Sequence, residues 1–223
     1  MAKLIVIDGL DGSGKGTHTQ LLCDYLRECC LNVLKISFPD YGQPSSSLVK
    51  MYLSGEFGTE PAAVNPYIAS SFYAVDRAAS FLKFWKNEYE NKDTVIIADR
   101  YTTSNIIHQT VKLPREQWKA FIEWTQEYEY GLLNLPAPDL VLYLDMPVNV
   151  SRELITSRYG GDDSKKDIHE SDLEYLCKCR ETALYAAKLL DWSVVSLSDG
   201  ANAFSIEENQ RKLRGFISDL GWI

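Results

Sequence analysis

At 223 residues the chain has ample length for a single buried core, either as one large domain or as a domain with an inserted lid. A formal net charge of −8 and a sequence pI of about 5.0 argue against a nucleic-acid-binding or anionic-membrane surface. No apolar run approaches the ~18 residues a membrane helix needs.

The first predicted element is a strand over Leu4 to Ile7, entered so early that no room is left for a signal peptide; a cytoplasmic location is expected. Directly after it comes Gly9-Leu10-Asp11-Gly12-Ser13-Gly14-Lys15-Gly16-Thr17, followed by a helical pattern. Glycines at 9, 12 and 14 allow successive backbone N–H groups to turn inward on a phosphate. The helix that follows adds the positive end of its dipole, and Lys15 adds a full charge that reaches the β- and γ-phosphates. A strand, this glycine spacing and a lysine together point to nucleoside triphosphate binding through Gly9, Asp11, Gly12, Ser13, Gly14, Lys15, Gly16 and Thr17. One position departs from the common G-x-x-x-x-G-K-[ST] form, because Gly16 stands where a hydroxyl would ligate Mg²⁺ and Thr17 follows one place later.

Further strands are predicted over Val33 to Phe38, Thr94 to Ala98, Leu140 to Leu144 and Ser193 to Leu197, each short and apolar. Helix starts are marked by Asn65-Pro66 and by the capping box Ser171-Asp172-Leu173-Glu174. Alternating strands and helices imply an α/β, three-layer, doubly wound fold with a five-stranded parallel sheet, and a ligand at the carboxyl ends of the strands. Two strands end in an acid, Asp99 and Asp145; either suits a carboxylate that holds Mg²⁺ or its waters. Asp145 precedes Met146-Pro147 and reads equally as a helix cap. Asp99 is followed by Arg100, which sets a cation beside the acid as two neighbouring phosphates require, so Asp99 and Thr17 are the metal candidates.

The polar stretch from Arg158 to Asp167 contains Gly160-Gly161 and two lysines, Lys165 and Lys166. It reads either as a solvated loop or as a lid whose cations close over phosphates. Five cysteines without a C-x-x-C pair (Cys23, Cys29, Cys30, Cys177, Cys179) are expected to be reduced structural thiols.

In order along the chain, G-L-D-G-S-G-K-G-T at 9–17, F-P-D-Y-G-Q at 38–43, Y-A-V-D-R at 73–77, D-R-Y at 99–101 and D-I-H-E at 167–170 resemble the thymidylate kinase family of P-loop nucleoside monophosphate kinases. The resemblance covers most of the chain and implies one domain over 1–223 with a lid at about 158–169, ATP and Mg²⁺, dTMP as acceptor, and a homodimer. It implies that Asp11 receives the sugar 3′-hydroxyl, that Phe38 lines the base pocket and that Tyr41 approaches the acceptor phosphate where many members carry Arg. Tyr73 takes the place of a stacking Phe, and Arg77 that of the donor to thymine O4; from the residues alone Tyr73 reads as core and Arg77 as a solvated helix charge. Arg100 is implied to bind the acceptor phosphate, Ser104 and Asn105 to meet the base, and His108 to stand where an aromatic ring lies beneath the sugar. His169 and Glu170 match a pair near the substrate phosphate. Arg158, Lys165 and Lys166 would bring the lid cations that compensate for Gly12, where another subclass has Arg.

The expected reaction is transfer of the ATP γ-phosphoryl group to dTMP. The alternatives are a deoxynucleoside kinase, which needs a general base for its neutral hydroxyl, a relative with altered nucleotide preference, and a GTPase-type switch. The switch needs a guanine-reading N-K-x-D after a strand, whereas Asn91-Lys92-Asp93 precedes one and lacks the spacing.

Overall fold

A computed structural model describes residues 1–152, 173–219 and 221. Five parallel strands form one sheet in the order β2-β3-β1-β4-β5: β1 (Lys3–Gly9), β2 (Asn32–Ser37), β3 (Thr94–Asp99), β4 (Leu140–Asp145) and β5 (Ser193–Ser196). All five lie where the apolar runs predict them, with ends displaced by one or two residues. The central β1 pairs Ile7 with Asp99 of β3 on one side and with Leu142 of β4 on the other.

Alternation along β1 divides the core in two. Ile5 and Ile7 point to the face covered by α1 (Lys15–Glu28) and the C-terminal helix α8 (Ile206–Asp219), through Leu22, Leu26, Leu213 and Ile217. Leu4 and Val6 point to the other face and pack with Phe81, Trp85 and Tyr101. On that second side also lie α3 (Pro66–Ser80), α5 (Thr102–Thr110), α6 (Trp118–Gln126) and α7 (Leu173–Leu190); α2 (Ser47–Leu53) and α4 (Lys86–Glu90) are shorter. Asn65 caps α3 as expected, its Oδ1 accepting from the Tyr67 N–H at 2.9 Å. Two π-helical segments that the sequence did not announce, Phe81–Trp85 and Glu127–Leu132, continue α3 and α6. The capping residues Ser171 and Asp172 lie outside the described residues.

From β1 the chain crosses to β2 at one edge, and from β3 it crosses to β4 on the opposite side. The direction of winding therefore switches between β1 and β3, which leaves a crevice at their carboxyl ends. The glycine-rich loop and Asp99-Arg100 flank that crevice.

Candidate active site

A cavity of about 1080 Å³ opens at this switch point, and the described residues predicted for binding come together on its walls. The exception is Gly9, which lies beneath the loop: a Cβ there would meet the Leu144 carbonyl and the Ser13 Oγ, each at 2.8 Å. Its role is close packing of strand on loop. Gly12 and Gly14 take left-handed φ of 78° and 76°, and Gly14 starts α1 without any side-chain cap, so the first N–H groups of the helix are left for an anion.

Lys15 is 9% exposed. Its Nζ donates to Asp11 Oδ1 at 3.0 Å and to the Leu10 carbonyl at 3.4 Å. From the other side of the crevice the Arg100 Nη2 also donates to Asp11 Oδ1. Arg100 holds a left-handed φ of 64°, which is costly for a residue with a Cβ and turns its side chain across the site. Burial opposes ionisation of Asp11, but Arg100, then Lys15, outweigh it and hold the carboxyl well below the usual carboxylate range. Arg100 pairs across the crevice with Asp11 and, at 3.9 Å, with Asp8, rather than by hydrogen bond with its neighbour Asp99.

Asp8 is one of the groups sequence reasoning missed. Fully buried at the end of β1, it accepts from Thr103 Oγ1 at 2.5 Å, Ser104 Oγ at 2.7 Å and the Gly9 N–H at 2.8 Å. Ser104 Oγ in turn accepts from Arg100 Nη1 at 3.3 Å, so this serine braces Arg100. The same guanidinium nitrogen lies 3.3 Å from His108 Nε2. Because a guanidinium only donates, Nε2 is the accepting nitrogen and the ring proton sits on Nδ1, facing Cys179 Sγ at 3.6 Å.

Asp99 Oδ2 lies 3.6 Å from where a Cβ on Gly16 would stand. A carboxylate thus occupies the neighbourhood of the missing loop hydroxyl. Burial raises the Asp99 pKa, with Lys15 and Arg100 opposing. A half-buried acid whose charge is incompletely offset, beside a phosphate loop, fits a divalent cation. Among the described residues no group of three or more His, Cys, Asp or Glu side chains gathers to hold a metal, so such an ion would take most of its ligands from phosphates and water. Asp145, the rival acid, is bound on both oxygens by Arg180 at 2.7 and 2.8 Å.

At the far end, Phe38 is buried against Tyr101, with ring centroids 5.9 Å apart. Exposed Tyr41 and half-buried Tyr73 also line the cavity, Tyr73 edge-on to Tyr52 at 6.3 Å. The loop bearing Phe38 and Tyr41 is tied down by buried Asp76, which accepts from the Asp40 N–H at 2.8 Å and Ser45 Oγ at 2.6 Å. Arg77 is no solvated helix charge. It is 1% exposed and doubly hydrogen-bonded to Glu129, Nε to Oε2 at 2.7 Å and Nη2 to Oε1 at 2.6 Å. Nothing local distinguishes Glu129 within Glu127-Tyr128-Glu129-Tyr130, and the π-helical turn that carries it is a tertiary outcome. On the opposite wall, His18, Ala203, Phe204 and Asn209 extend the cavity beyond the phosphate loop. The Gln210 amide nitrogen lies 3.1 Å from the His18 carbonyl and 3.0 Å from His18 Nδ1, which leaves the ring proton on Nε2. Arg158, Lys165, Lys166, His169 and Glu170 lie outside the described residues.

Comparison with known proteins agrees with this geometry. The family model described as thymidylate kinase matches residues 7–212. A thymidylate kinase from Mycobacterium tuberculosis is 30% identical over 187 residues, covering 82% of this chain and 84% of the relative. A probable thymidylate kinase from Saccharolobus solfataricus is 32% identical over 203 residues, covering 91% and 92%. The solved thymidylate kinase from Candida albicans superposes with a TM-score of 0.72 at 22% identity, over 99% of this chain and 92% of that one, and so shares the fold. The chain belongs to the thymidylate kinase family.

Proposed function

We propose that this member of the family performs its reaction, ATP-dependent phosphorylation of dTMP by a nucleoside monophosphate kinase, with the donor on the glycine-rich loop and the acceptor against Arg100, Tyr73, Arg77 and Asn105. One observation carries the assignment of these residues. Lys15, following β1, and Arg100, following β3, converge on a single carboxylate, Asp11, in the wall of one cavity. Transfer between two phosphates needs two cations held side by side, and little covalent chemistry is asked of the protein.

Gly12 to Thr17 and Lys15 would cradle the β- and γ-phosphates, while Arg100 holds the acceptor phosphate in line. The acceptor is already an anionic oxygen, so no general base is assigned. Asp99, with the Thr17 hydroxyl, would position Mg²⁺, whose charge neutralises the phosphates in flight. Asp11 would receive the sugar hydroxyl, and Phe38, Tyr41 and His108 would enclose sugar and base. Arg158, Lys165 and Lys166 would close from the lid, with His169 and Glu170 near the acceptor phosphate. In this reading 1–223 is one domain with a lid at about 158–169, acting in the cytoplasm. Exposed Ile68, Val75 and Leu82 recur every seven residues along α3 and its extension, an apolar stripe suited to a homodimer.

An ADP-release assay across dTMP, dUMP, dGMP, dCMP and thymidine tests the substrate. Fastest turnover with dTMP supports the reading. Faster turnover of thymidine than of dTMP would replace it with a deoxynucleoside kinase.

A further inference from the structure

The base-facing end of the cavity rests on one buried carboxylate. Glu129, fully buried, accepts four hydrogen bonds: two from Arg77, one from Thr102 Oγ1 at 2.7 Å and one from Asn105 Nδ2 at 3.1 Å. Arg77 and Asn105 both line the cavity. A carboxylate paired with a guanidinium only accepts, so Glu129 dictates which atoms of its two partners remain for a ligand.

Arg77 carries five N–H groups. Glu129 takes one on Nε and one on Nη2, and the Tyr101 carbonyl takes one on Nη1 at 3.4 Å. One N–H on each terminal nitrogen is left. Asn105 spends its amide nitrogen on Glu129 Oε1 and on the Ser70 carbonyl, each at 3.1 Å. Its Oδ1 makes no hydrogen bond among the described residues. Flipping that amide would set Oδ1 against two acceptors at once, so the amide has one allowed orientation.

We propose that Glu129 is a positioning residue that sets the polarity of the base-reading end, a guanidinium donor beside an amide acceptor. The edge complementary to that pair is an imide, a ring N–H next to a C=O, as in thymine and uracil. Cytosine presents the reverse, a ring nitrogen acceptor beside an amino donor, and meets donor with donor and acceptor with acceptor. This rests on the dTMP reading above and adds to it the group that enforces the choice.

The test uses the purified full chain, with folding of each variant checked by circular dichroism and the kcat/KM ratio of dTMP to dCMP as readout. Glu129→Gln keeps the shape but replaces one accepting oxygen with an NH₂ that must face a donor. The ratio is expected to fall about tenfold or more, with KM for ATP changed less than about twofold. Equal losses for dTMP and dCMP in Glu129→Gln, leaving the ratio intact, would reduce Glu129 to a structural support and overturn the proposal. If Glu129→Gln does not fold, Glu129→Asp, which keeps the charge but withdraws it by one methylene, decides the question on the same ratio. Arg77→Lys separates the two levels. An unchanged ratio there means that the base is read elsewhere and the underlying reading fails; a lowered ratio there with both Glu129 variants unchanged removes only Glu129.

Discussion

Gly9→Ala and Gly16→Ala, two changes of the same kind in one loop, are expected to move stability in opposite directions. At Gly9 the added methyl would stand 2.8 Å from the Leu144 carbonyl, 2.8 Å from Ser13 Oγ and 3.1 Å from Leu144 Cβ. Two of these atoms belong to a residue of a buried strand paired with β1, so relief requires moving β4 or the loop. Overpacking of this kind costs roughly 1–3 kcal/mol. For a chain of this size each kcal/mol lowers Tm by about 2–4 °C, which gives a fall of roughly 2–12 °C. At Gly16 the nearest atom to an added Cβ is Asp99 Oδ2 at 3.6 Å, an ordinary contact, and the position lies in the first turn of α1. Alanine there gains about 0.5–1 kcal/mol over glycine, so Tm should hold or rise by roughly 1–4 °C. Thermal melts followed by circular dichroism without nucleotide measure both, and ATP titration should show weaker binding for Gly9→Ala because Ser13 is displaced. A Gly9→Ala protein melting at or above the parent, or equal destabilisation by the two changes, would refute the packing argument.

Lys15→Ala should lower kcat by roughly 10²–10³-fold while the chain stays folded, since Arg100 still neutralises Asp11; near-normal turnover in a folded variant would remove Lys15 from phosphoryl transfer. Asp99→Asn should raise the Mg²⁺ concentration needed for half-maximal activity, and an unchanged Mg²⁺ titration would take the metal away from Asp99. Burial pushes the Lys112 ammonium down to about 8 against Tyr52 and the Val64 carbonyl, so the folded state binds fewer protons than the unfolded chain between about 8 and 10.5 and this group's penalty on stability fades as pH rises through that window. Lys112→Met should therefore gain most in Tm over the parent near pH 7 and progressively less by pH 10, whereas a pH-independent difference in melting would contradict that burial. A Lys165→Ala/Lys166→Ala double variant should lower kcat more than it raises KM for dTMP, and an unchanged kcat would leave Arg158 as the leading lid cation.

Features set by neighbours in the chain were legible from the residues alone. Leu4 to Ile7 followed by the glycine spacing and Lys15 marks β1, the loop and α1, because short-range backbone geometry decides all three. The apolar runs located the other strands: β3 and β4, covered on both faces, are almost continuously apolar, while the edge strands β2 and β5 stay partly exposed. The family motifs added Arg77 and Asn105 to the expectations, and with Arg100 they meet in one cavity. What the motifs left open is how those groups are held. Asp8, Asp76 and Glu129 are fully or almost fully buried acids, yet in sequence each looks like any surface carboxylate. Their partners lie far along the chain: Thr103 and Ser104 for Asp8, Asp40 and Ser45 for Asp76, Arg77 and Asn105 for Glu129. The energy of a buried carboxylate depends on donors that arrive only when the chain closes. The same closure turned Arg77 from an apparent solvated charge into a 1%-exposed guanidinium fixed on a π-helical turn. Local sequence therefore determined the strands, the loop and the kind of chemistry, while the burial and direction of each recognising group were decided by contacts across the fold.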